Sequence, residues 1–164
     1  DAISSIGMFE HVGLKRLGEY MATMFDLLPA GGRFLNHAIS RPPSDGKPRI
    51  DPNSFVGRYV FPDGELHEIG AVVTAVQQAG FEVRHVETLR EHYARTLRAW
   101  VTNLENEWEA AVGEVGANRA RIWRLYMAGS AAGFAAGRIQ VHQTLGVKAA
   151  ADGASGMPPR PDWD

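Results

Sequence analysis

Apolar residues recur at steps of three and four along four stretches of the chain, the spacing that places them on one face of an α-helix. These stretches cover residues 17–28, 69–79, 93–112 and 118–137. Pro29 and Gly80 follow the first two stretches, and Gly113 follows the third, as expected at helix ends. The pattern therefore predicts four amphipathic helices, of which the last two are long and adjacent in the chain.

Short runs that favour β-structure separate these helices and cover residues 2–6, 33–39, 81–89 and 138–144. The order is strand, helix, strand, helix, strand, two helices, strand, and this alternation predicts an α/β fold with a sheet of parallel strands. Ligands bind beyond the carboxyl ends of the strands in such sheets. Glu10 and His37 lie near the ends of the first two strands and are therefore candidates for chemistry.

Three further segments carry structural predictions. Residues 40–58 are rich in proline and are predicted to form a lid-like loop that covers or shapes a site. Gly129, Gly133 and Gly137 recur at four-residue steps, and since glycine costs a helix about 1 kcal/mol relative to alanine, the pattern predicts close approach of another helix or a ligand. Residues 149–164, rich in glycine and proline, predict a flexible tail.

Composition narrows the class of protein. The 164 residues are 45% hydrophobic and 22% charged, which is the profile of a globular domain with one core. A net charge of −2 argues against a nucleic-acid partner. The absence of cysteine excludes disulfides and thiolate metal sites and fits a cytoplasmic protein. No two of the six histidines stand at His-x-x-x-His spacing, so no metal site is expected.

The amino terminus is unusual for a complete protein. The chain starts with Asp1 and enters a predicted strand at once, without a methionine or the features of a secretory signal. A strand that begins in this way leaves a pairing edge exposed. We therefore expect the chain to be part of a longer protein.

Five segments, in order, carry a family resemblance. They are SIGMFEHVG at 5–13, LLPAGG at 27–32 with LNHAI at 35–39, YVFPDGEL at 59–66, HYARTL at 92–97 with Trp100, and residues 126–134 followed by IQVHQ at 139–143. Together these segments resemble the cyclopropane fatty acid synthases and mycolic acid cyclopropane synthases, which are S-adenosylmethionine-dependent methyltransferases.

The resemblance implies a fold. The family has a Rossmann-like, seven-stranded class I methyltransferase sheet of strand order 3-2-1-4-5-7-6, with the last strand antiparallel. This chain would supply its carboxyl-terminal half, strands 4 to 7, with residues 1–148 as part of the methyltransferase domain and 92–137 as a helical segment. The cofactor-binding glycine loop of the family has no counterpart in the chain, so we expect this chain alone to be inactive.

The resemblance also implies a chemistry. Methyl transfer from S-adenosylmethionine to the double bond of an unsaturated acyl chain, on phospholipid or on a carrier, would be followed by proton loss and cyclopropane closure. The family's bicarbonate base would be held by Glu10, His37, the backbone amide of Ile39, and Tyr126, of which Glu10, His37 and Tyr126 are the expected catalytic side chains. An anion in an apolar pocket is costly to bury unless hydrogen-bond donors of this kind stabilise it.

Other residues receive weaker assignments from the same resemblance. His11 is either a cofactor contact or a structural residue of its loop. Tyr93 and Trp100 are either core residues or part of an acyl pocket.

Alternatives remain open for the residues and for the function. Glu10 could be a solvated loop residue, while His37 and Tyr126 could be core residues. A methyl- or methylene-branching acyl methyltransferase would use the same site. A protein of another class, an inactive methyltransferase-fold module, would use its exposed sheet edge to pair with a second copy. The expected location is the cytoplasm, with contact to the inner membrane face as an option.

Overall fold

One mixed sheet organises the computed structural model, which describes residues 1–45 and 50–160. Its strands are β1 (Ala2–Ile6), β2 (Arg33–Arg41), β3 (His67–Glu68), β4 (Glu82–Thr88) and β5 (Gln140–Val147). The order is β1-β2-β5-β4, and the short β3 pairs with the end of β2. β1 is parallel to β2, whereas β5 is antiparallel to both β2 and β4. The predicted order and directions of strands 4, 5, 7 and 6 are confirmed.

The helices of the described residues follow the apolar stripes. They are α1 (Leu17–Leu27), α2 (Phe55–Tyr59), α3 (Ile69–Gln78), α4 (Arg90–Asn106), α5 (Trp108–Val115) and α6 (Ala117–Ala135). None of these helices is long and apolar enough to cross a membrane. The Ser54 hydroxyl caps α2 by accepting from the Gly57 amide at 3.0 Å. A Cβ on Gly57 would overlap the backbone oxygen of Asp51, so this turn requires glycine.

Helices α1 and α3 pack on one face of the sheet, which we call the filled face. Alternate residues of β2, among them Phe34 and Ala38, point to this face and are buried. They pack against a core drawn from the loop after β1 and both helices: Phe9, Leu17, Tyr20, Met21, Leu28, Val72, Val76 and Phe81. The Tyr20 hydroxyl donates to Ser5 Oγ at 2.6 Å, which satisfies two buried polar groups.

Helices α4 and α6 pack on the opposite face, which we call the cavity face. Its core is smaller and consists of Ala94, Leu97, Ala131, Phe134 and Val141. The other residues of β2, His37 and Ile39, point to this face. Near the carboxyl ends of β1 and β2 the face is open, and this opening forms the cavity described below.

Two predicted elements have different bounds in the structure, and the lid role of the loop over 40–58 stays a prediction. The predicted helix over 93–112 is broken at Glu107, whose φ of −107° and ψ of 32° separate α4 from α5. The predicted loop over 40–58 includes α2 and leads into β3, and its residues 46–49 lie outside the described residues. The short α2 and the two-residue β3 span too few residues to show a periodicity.

The three spaced glycines do not share one role. A Cβ on Gly133 would lie 3.3 Å from Ile139, so this position does mark a close approach, but to the chain that enters β5. A Cβ on Gly129 would meet nothing within 4 Å. Gly137 lies beyond α6 with a φ of 72°, where it turns the chain. The predicted close approach of a helix or a ligand at all three glycines is therefore wrong.

The predicted tail contacts the sheet in its described part. Arg84 of β4 donates to the backbone oxygen of Pro158 at 3.1 Å. Residues 161–164 lie outside the described residues. The flexibility of this segment stays a prediction.

Candidate active site

A cavity of about 480 Å³ lies on the cavity face, where β1 and β2 end. Its walls are formed by the ends of these strands, by α4 and α6, and by parts of the segment from residue 50 to 66. Most of the lining is apolar, including Ile6, Val56, Leu97, Met127 and Phe134. A mainly apolar cavity with a few polar groups is the usual form of a small-molecule site.

Glu10 is the acidic residue of this cavity, and only 7% of its surface is exposed. It lies in a single 3₁₀ turn, Phe9–His11, that Phe9 anchors in the core of the filled face. The Glu65 amide donates to the Glu10 backbone oxygen at 2.9 Å, which fixes the turn from the other side. Burial of a carboxylate is costly unless it is compensated, so this position indicates a function.

The two oxygens of the Glu10 carboxylate differ. Oε1 accepts from the backbone amide of Ile39 at 2.7 Å. Oε2 is buried and has no hydrogen-bond partner among the described residues. A buried acceptor without a partner is rare in folded proteins, and it suits a ligand that brings a proton. The sequence predicted that the Ile39 amide contacts the anion directly. In the structure this amide donates to Glu10 Oε1, so it could bind an anion only if Glu10 shared or released the hydrogen bond.

His37 also lines the cavity, but it lies in the middle of β2, opposite Ile6 at the end of β1, and not near the end of its own strand as the sequence predicted. Gln143 of β5 holds its ring through a hydrogen bond of 3.2 Å between Gln143 Nε2 and His37 Nδ1. The Tyr93 ring lies against the imidazole with centroids 5.8 Å apart. The Gly7 amide donates to the His37 backbone oxygen at 3.0 Å, and the φ of 65° at Gly7 favours glycine there. The loop that carries Glu10 is thereby tied to His37.

Tyr126 of α6 enters the cavity from the helical side. Ser130, which also lines the cavity, lies one helical turn further along α6. The rings of Phe61 and Trp123 each pack edge-on against Tyr126, with centroids 5.5 Å away. The Tyr126 ring is therefore held in place by two aromatic neighbours at the cavity wall.

The electrostatics follow from burial. Burial lowers the pKa of His37, against the opposing effect of the Glu10 charge. Burial also raises the pKa of Tyr126, with Ser130 opposing and Tyr93 and Glu10 adding to the rise. The Tyr93 pKa is raised by burial and by Glu10. At neutral pH these groups are a neutral imidazole and two protonated phenols, all able to donate a hydrogen bond.

The remaining predicted residues also line the cavity. Tyr93 lies inside it, whereas Trp100 is 48% exposed and lies at its edge. His11 lines the cavity, is exposed, and packs against Phe61 with ring centroids 5.5 Å apart. Ser54 and Val56 of the predicted lid contribute to the wall. The structure thus brings all the predicted site residues to one cavity, while their individual roles stay predictions.

Sequence reasoning missed two side chains that hold this arrangement. Gln143 was given no role, although the alternation of β5 against β2 would have placed it on the face of His37. Glu65 accepts from the Leu14 amide at 2.7 Å and lies 3.7 Å from His67, so it ties the loop after β1 to the turn before β3. No spacing in the sequence signals this second contact.

A comparison with protein-family models decides the relationship. The model for mycolic acid cyclopropane synthetase matches residues 1–144. The chain belongs to this family.

Two curated relatives of the chain are named as fatty acid methyltransferases. The chain is 44% identical over 163 residues to a probable fatty acid methyltransferase of Mycobacterium tuberculosis, covering 99% of the chain and 38% of that relative. It is 44% identical over 159 residues to a probable fatty acid methyltransferase of Pseudomonas putida, covering 96% of the chain and 40% of that protein. The chain therefore spans about two fifths of the length of these relatives.

Solved structures of the family share the fold. The cyclopropane synthase MmaA2 from Mycobacterium tuberculosis superposes with a TM-score of 0.79 at 30% identity, over 89% of the chain and 55% of that structure. The mycolic acid cyclopropane synthase CmaA1, complexed with SAH and CTAB, gives a TM-score of 0.78 at 32% identity over the same shares. The class I methyltransferase fold is thus established for this half of the sheet.

Proposed function

We propose that the full-length gene product transfers a methyl group from S-adenosylmethionine to the double bond of an unsaturated fatty acyl chain, and that the ring-closed cyclopropane is its product. The proposal rests on one observation: a buried carboxylate with an unpartnered oxygen shares an apolar cavity with an imidazole and a phenol. Membership of the family supports the same chemistry.

The polar residues of the cavity suit a small anion that carries its own proton. Glu10 Oε2 needs a donor, because a buried oxygen without one is destabilising. Tyr126 and a neutral His37 need acceptors. A bicarbonate ion meets both needs, since its hydroxyl donates and its other oxygens accept, and it would supply the base that removes the methyl proton. A bare anion without a proton would be repelled by Glu10.

Each residue then has a defined task. Glu10 orients the anion and offsets the positive charge that develops on the acyl carbons. His37 and Tyr126 hold the anion by donating hydrogen bonds. The apolar walls exclude water, which would otherwise trap the cationic carbon as an alcohol.

The same cavity fits an acyl chain. About 480 Å³ accommodates the middle of an alkyl chain, and its apolar lining supplies no competing polar partner. Tyr93 and Trp100 are proposed as part of this wall. Trp100 lies at the exposed edge, where an extended chain would leave the cavity.

S-adenosylmethionine supplies an electrophilic methyl group when it is bound. In this chain His11 is the residue proposed to contact it, since His11 lies at an exposed part of the cavity lining close to the end of β1. Ligands of such sheets bind beyond the carboxyl ends of the strands. The chain alone is expected to lack methyl transfer.

A second candidate is a branching methyltransferase, in which a hydride shift moves the cation to the methyl-bearing carbon. Proton loss then leaves an exocyclic methylene or a methyl-bearing double bond, which a separate reductase can saturate to a methyl branch. The names of the two relatives at 44% identity favour this candidate, because both describe a probable fatty acid methyltransferase and neither mentions a cyclopropane product. The Glu10, His37 and Tyr126 site would be unchanged, and the fate of the cation would differ.

One experiment separates the two products. The full-length gene product receives S-adenosylmethionine labelled with ¹³C in the methyl group and vesicles of unsaturated phospholipid, with carrier-bound acyl chains in a parallel arm. Carbon NMR then identifies the labelled atom as a ring CH₂, an exocyclic methylene or a methyl branch. Ring carbon supports the first proposal, and methylene or methyl carbon supports the second. Failure to bind S-adenosylmethionine would favour an inactive module that pairs through its sheet edge.

A further inference from the structure

Gln143 and His37 meet because of the register between two strands. Antiparallel pairing places Gln143 of β5 directly opposite His37 of β2, although 106 residues separate them in the chain. His37 lines the cavity, and Gln143, directly opposite it and in contact with its ring, lies on the same face of the sheet. Gln143 Nε2 lies 3.2 Å from His37 Nδ1, within hydrogen-bonding distance.

The chemistry of an amide nitrogen fixes the direction of this bond. Nε2 of glutamine carries two hydrogens and can only donate, so Nδ1 of His37 must accept. A neutral imidazole that accepts at Nδ1 carries its proton on Nε2. The ring nitrogen that remains available to the cavity is then a hydrogen-bond donor.

The groups around His37 are compatible with this neutral tautomer. Glu10 faces it from the loop after β1, Tyr93 from α4 with ring centroids 5.8 Å apart, and Tyr126 lines the same cavity from α6. Glu87 of β4 lies on the far side of Gln143 in the sheet register. Burial outweighs the Glu10 charge and lowers the pKa of His37, so the ring is neutral near pH 7.

We propose that Gln143 is a positioning residue that holds His37 with its proton on Nε2, so that the imidazole presents a donor to the anion that the reaction uses. Gln143 acts through His37 and does not line the cavity itself. The proposal rests on the proposed function for the identity of the anion. The tautomer itself rests only on the contact between the two side chains.

Two variants of the full-length gene product test the proposal. Gln143→Met keeps the length of the side chain and removes the donor. Gln143→Glu replaces the donor by an acceptor, which pulls the proton to Nδ1 and reverses the tautomer. Gln140→Met is the matched control, because Gln140 is a glutamine of the same strand that points to the filled face.

The first measurement is ¹⁵N NMR of the histidine-labelled protein, with His37→Asn identifying the His37 signals. We expect an unprotonated Nδ1 and a protonated Nε2 in the wild type and in Gln140→Met, and the reverse in Gln143→Glu. A protonated Nδ1 in the wild type would overturn the proposal, because the amide would then present its oxygen to the ring. This readout needs no methyl transfer, so it decides the tautomer even when the proposed function fails.

The second measurement is the kinetics of methyl transfer with unsaturated phospholipid vesicles. Gln143→Met should lower kcat roughly tenfold, as when a group that orients a functional histidine is removed, with KM for the acyl substrate unchanged. Gln143→Glu should also move the acidic limb of the pH profile upward, since a carboxylate raises the pKa of the imidazole. A Gln143→Met enzyme as active as Gln140→Met would overturn the positioning role.

Discussion

The two faces of the sheet use the same strands for different purposes. On the filled face, Phe34 stacks on Phe81 with centroids 5.5 Å apart and is fully buried. Three residues along β2, on the cavity face, His37 borders an opening of about 480 Å³. The alternation of a strand thus lets one segment stabilise the fold on one side and present chemistry on the other. The contrast predicts that substitutions on the two faces will fail in different ways.

The largest expected effect is a loss of stability when a buried leucine is replaced by alanine, and it compares how tightly the two faces are packed. Leu28 and Leu97 are both 3% exposed, but Leu28 belongs to the core of the filled face and Leu97 borders the cavity. Leu28→Ala should cost about 4 kcal/mol in the free energy of unfolding, and Leu97→Ala about 2 kcal/mol, because a residue beside an existing opening loses fewer contacts. Urea unfolding of the full-length gene product measures both. Equal losses would show that the faces are packed alike.

Glu10→Gln is expected to lower the rate of methyl transfer strongly and to affect stability less than the leucine substitutions. The amide can still accept from Ile39 but can no longer carry the negative charge. Methyl transfer should fall about a hundredfold, the lower range for loss of an acid–base or charged catalytic group. Glu114→Gln, an exposed change in α5, is the control. Near-normal kcat in Glu10→Gln would remove the carboxylate from the mechanism.

Tyr126→Phe should lower the rate of methyl transfer by about tenfold, the effect of one lost hydrogen bond to a charged group. The ring stays between Phe61 and Trp123, so folding should be unaffected. Tyr59→Phe is the matched control, because Tyr59 lies in α2, is 53% exposed and lies outside the cavity lining. Loss of stability with full activity would assign Tyr126 to the core instead.

The smallest effect is a pH dependence of stability that comes from the filled face. Burial lowers the pKa of His67 and His142 below 6.5. The unfolded chain therefore takes up protons first, so stability is complete above about pH 6.5 and falls as the pH drops towards the folded-state pKa values. His67→Gln should flatten this dependence in urea unfolding between about pH 7.5 and about pH 5.5. An unchanged slope would mean that His67 is hydrated in the fold.

The sequence pattern predicted the long elements but not all the strand directions, because alternation alone predicted parallel strands and β5 is antiparallel to β2 and β4. The stripe from Leu17 to Leu28 became α1, and the strand order followed from the family resemblance. The break at Glu107 was not predictable, since no glycine or proline stands there. The two-residue β3 is defined by its pairing with β2 and not by its own residues. Local pattern thus determined the long elements, and tertiary contacts determined the short ones.

The candidate site was predicted in its members but not in its connections. Glu10, His37 and Tyr126 were identified from motifs, and all three line one cavity. The bond from the Ile39 amide to Glu10 could not be foreseen, because it depends on the angle at which the loop after β1 meets the end of β2. The same holds for Glu65 and Leu14, which are separated by 51 residues. Motifs name the reacting groups, whereas long-range contacts set their orientation.

The position of β5 has a consequence for biosynthesis. This strand is the last of the described strands to leave the ribosome, yet it lies between β2 and β4. Until β5 is synthesised, β2 and β4 lack the strand that pairs with both of them, and His37 lacks its hydrogen-bond partner Gln143. While the residues between β4 and β5 are synthesised, the edges of β2 and β4 therefore lack their native partner, and a chain that stopped before residue 140 would keep both edges available for pairing with other copies.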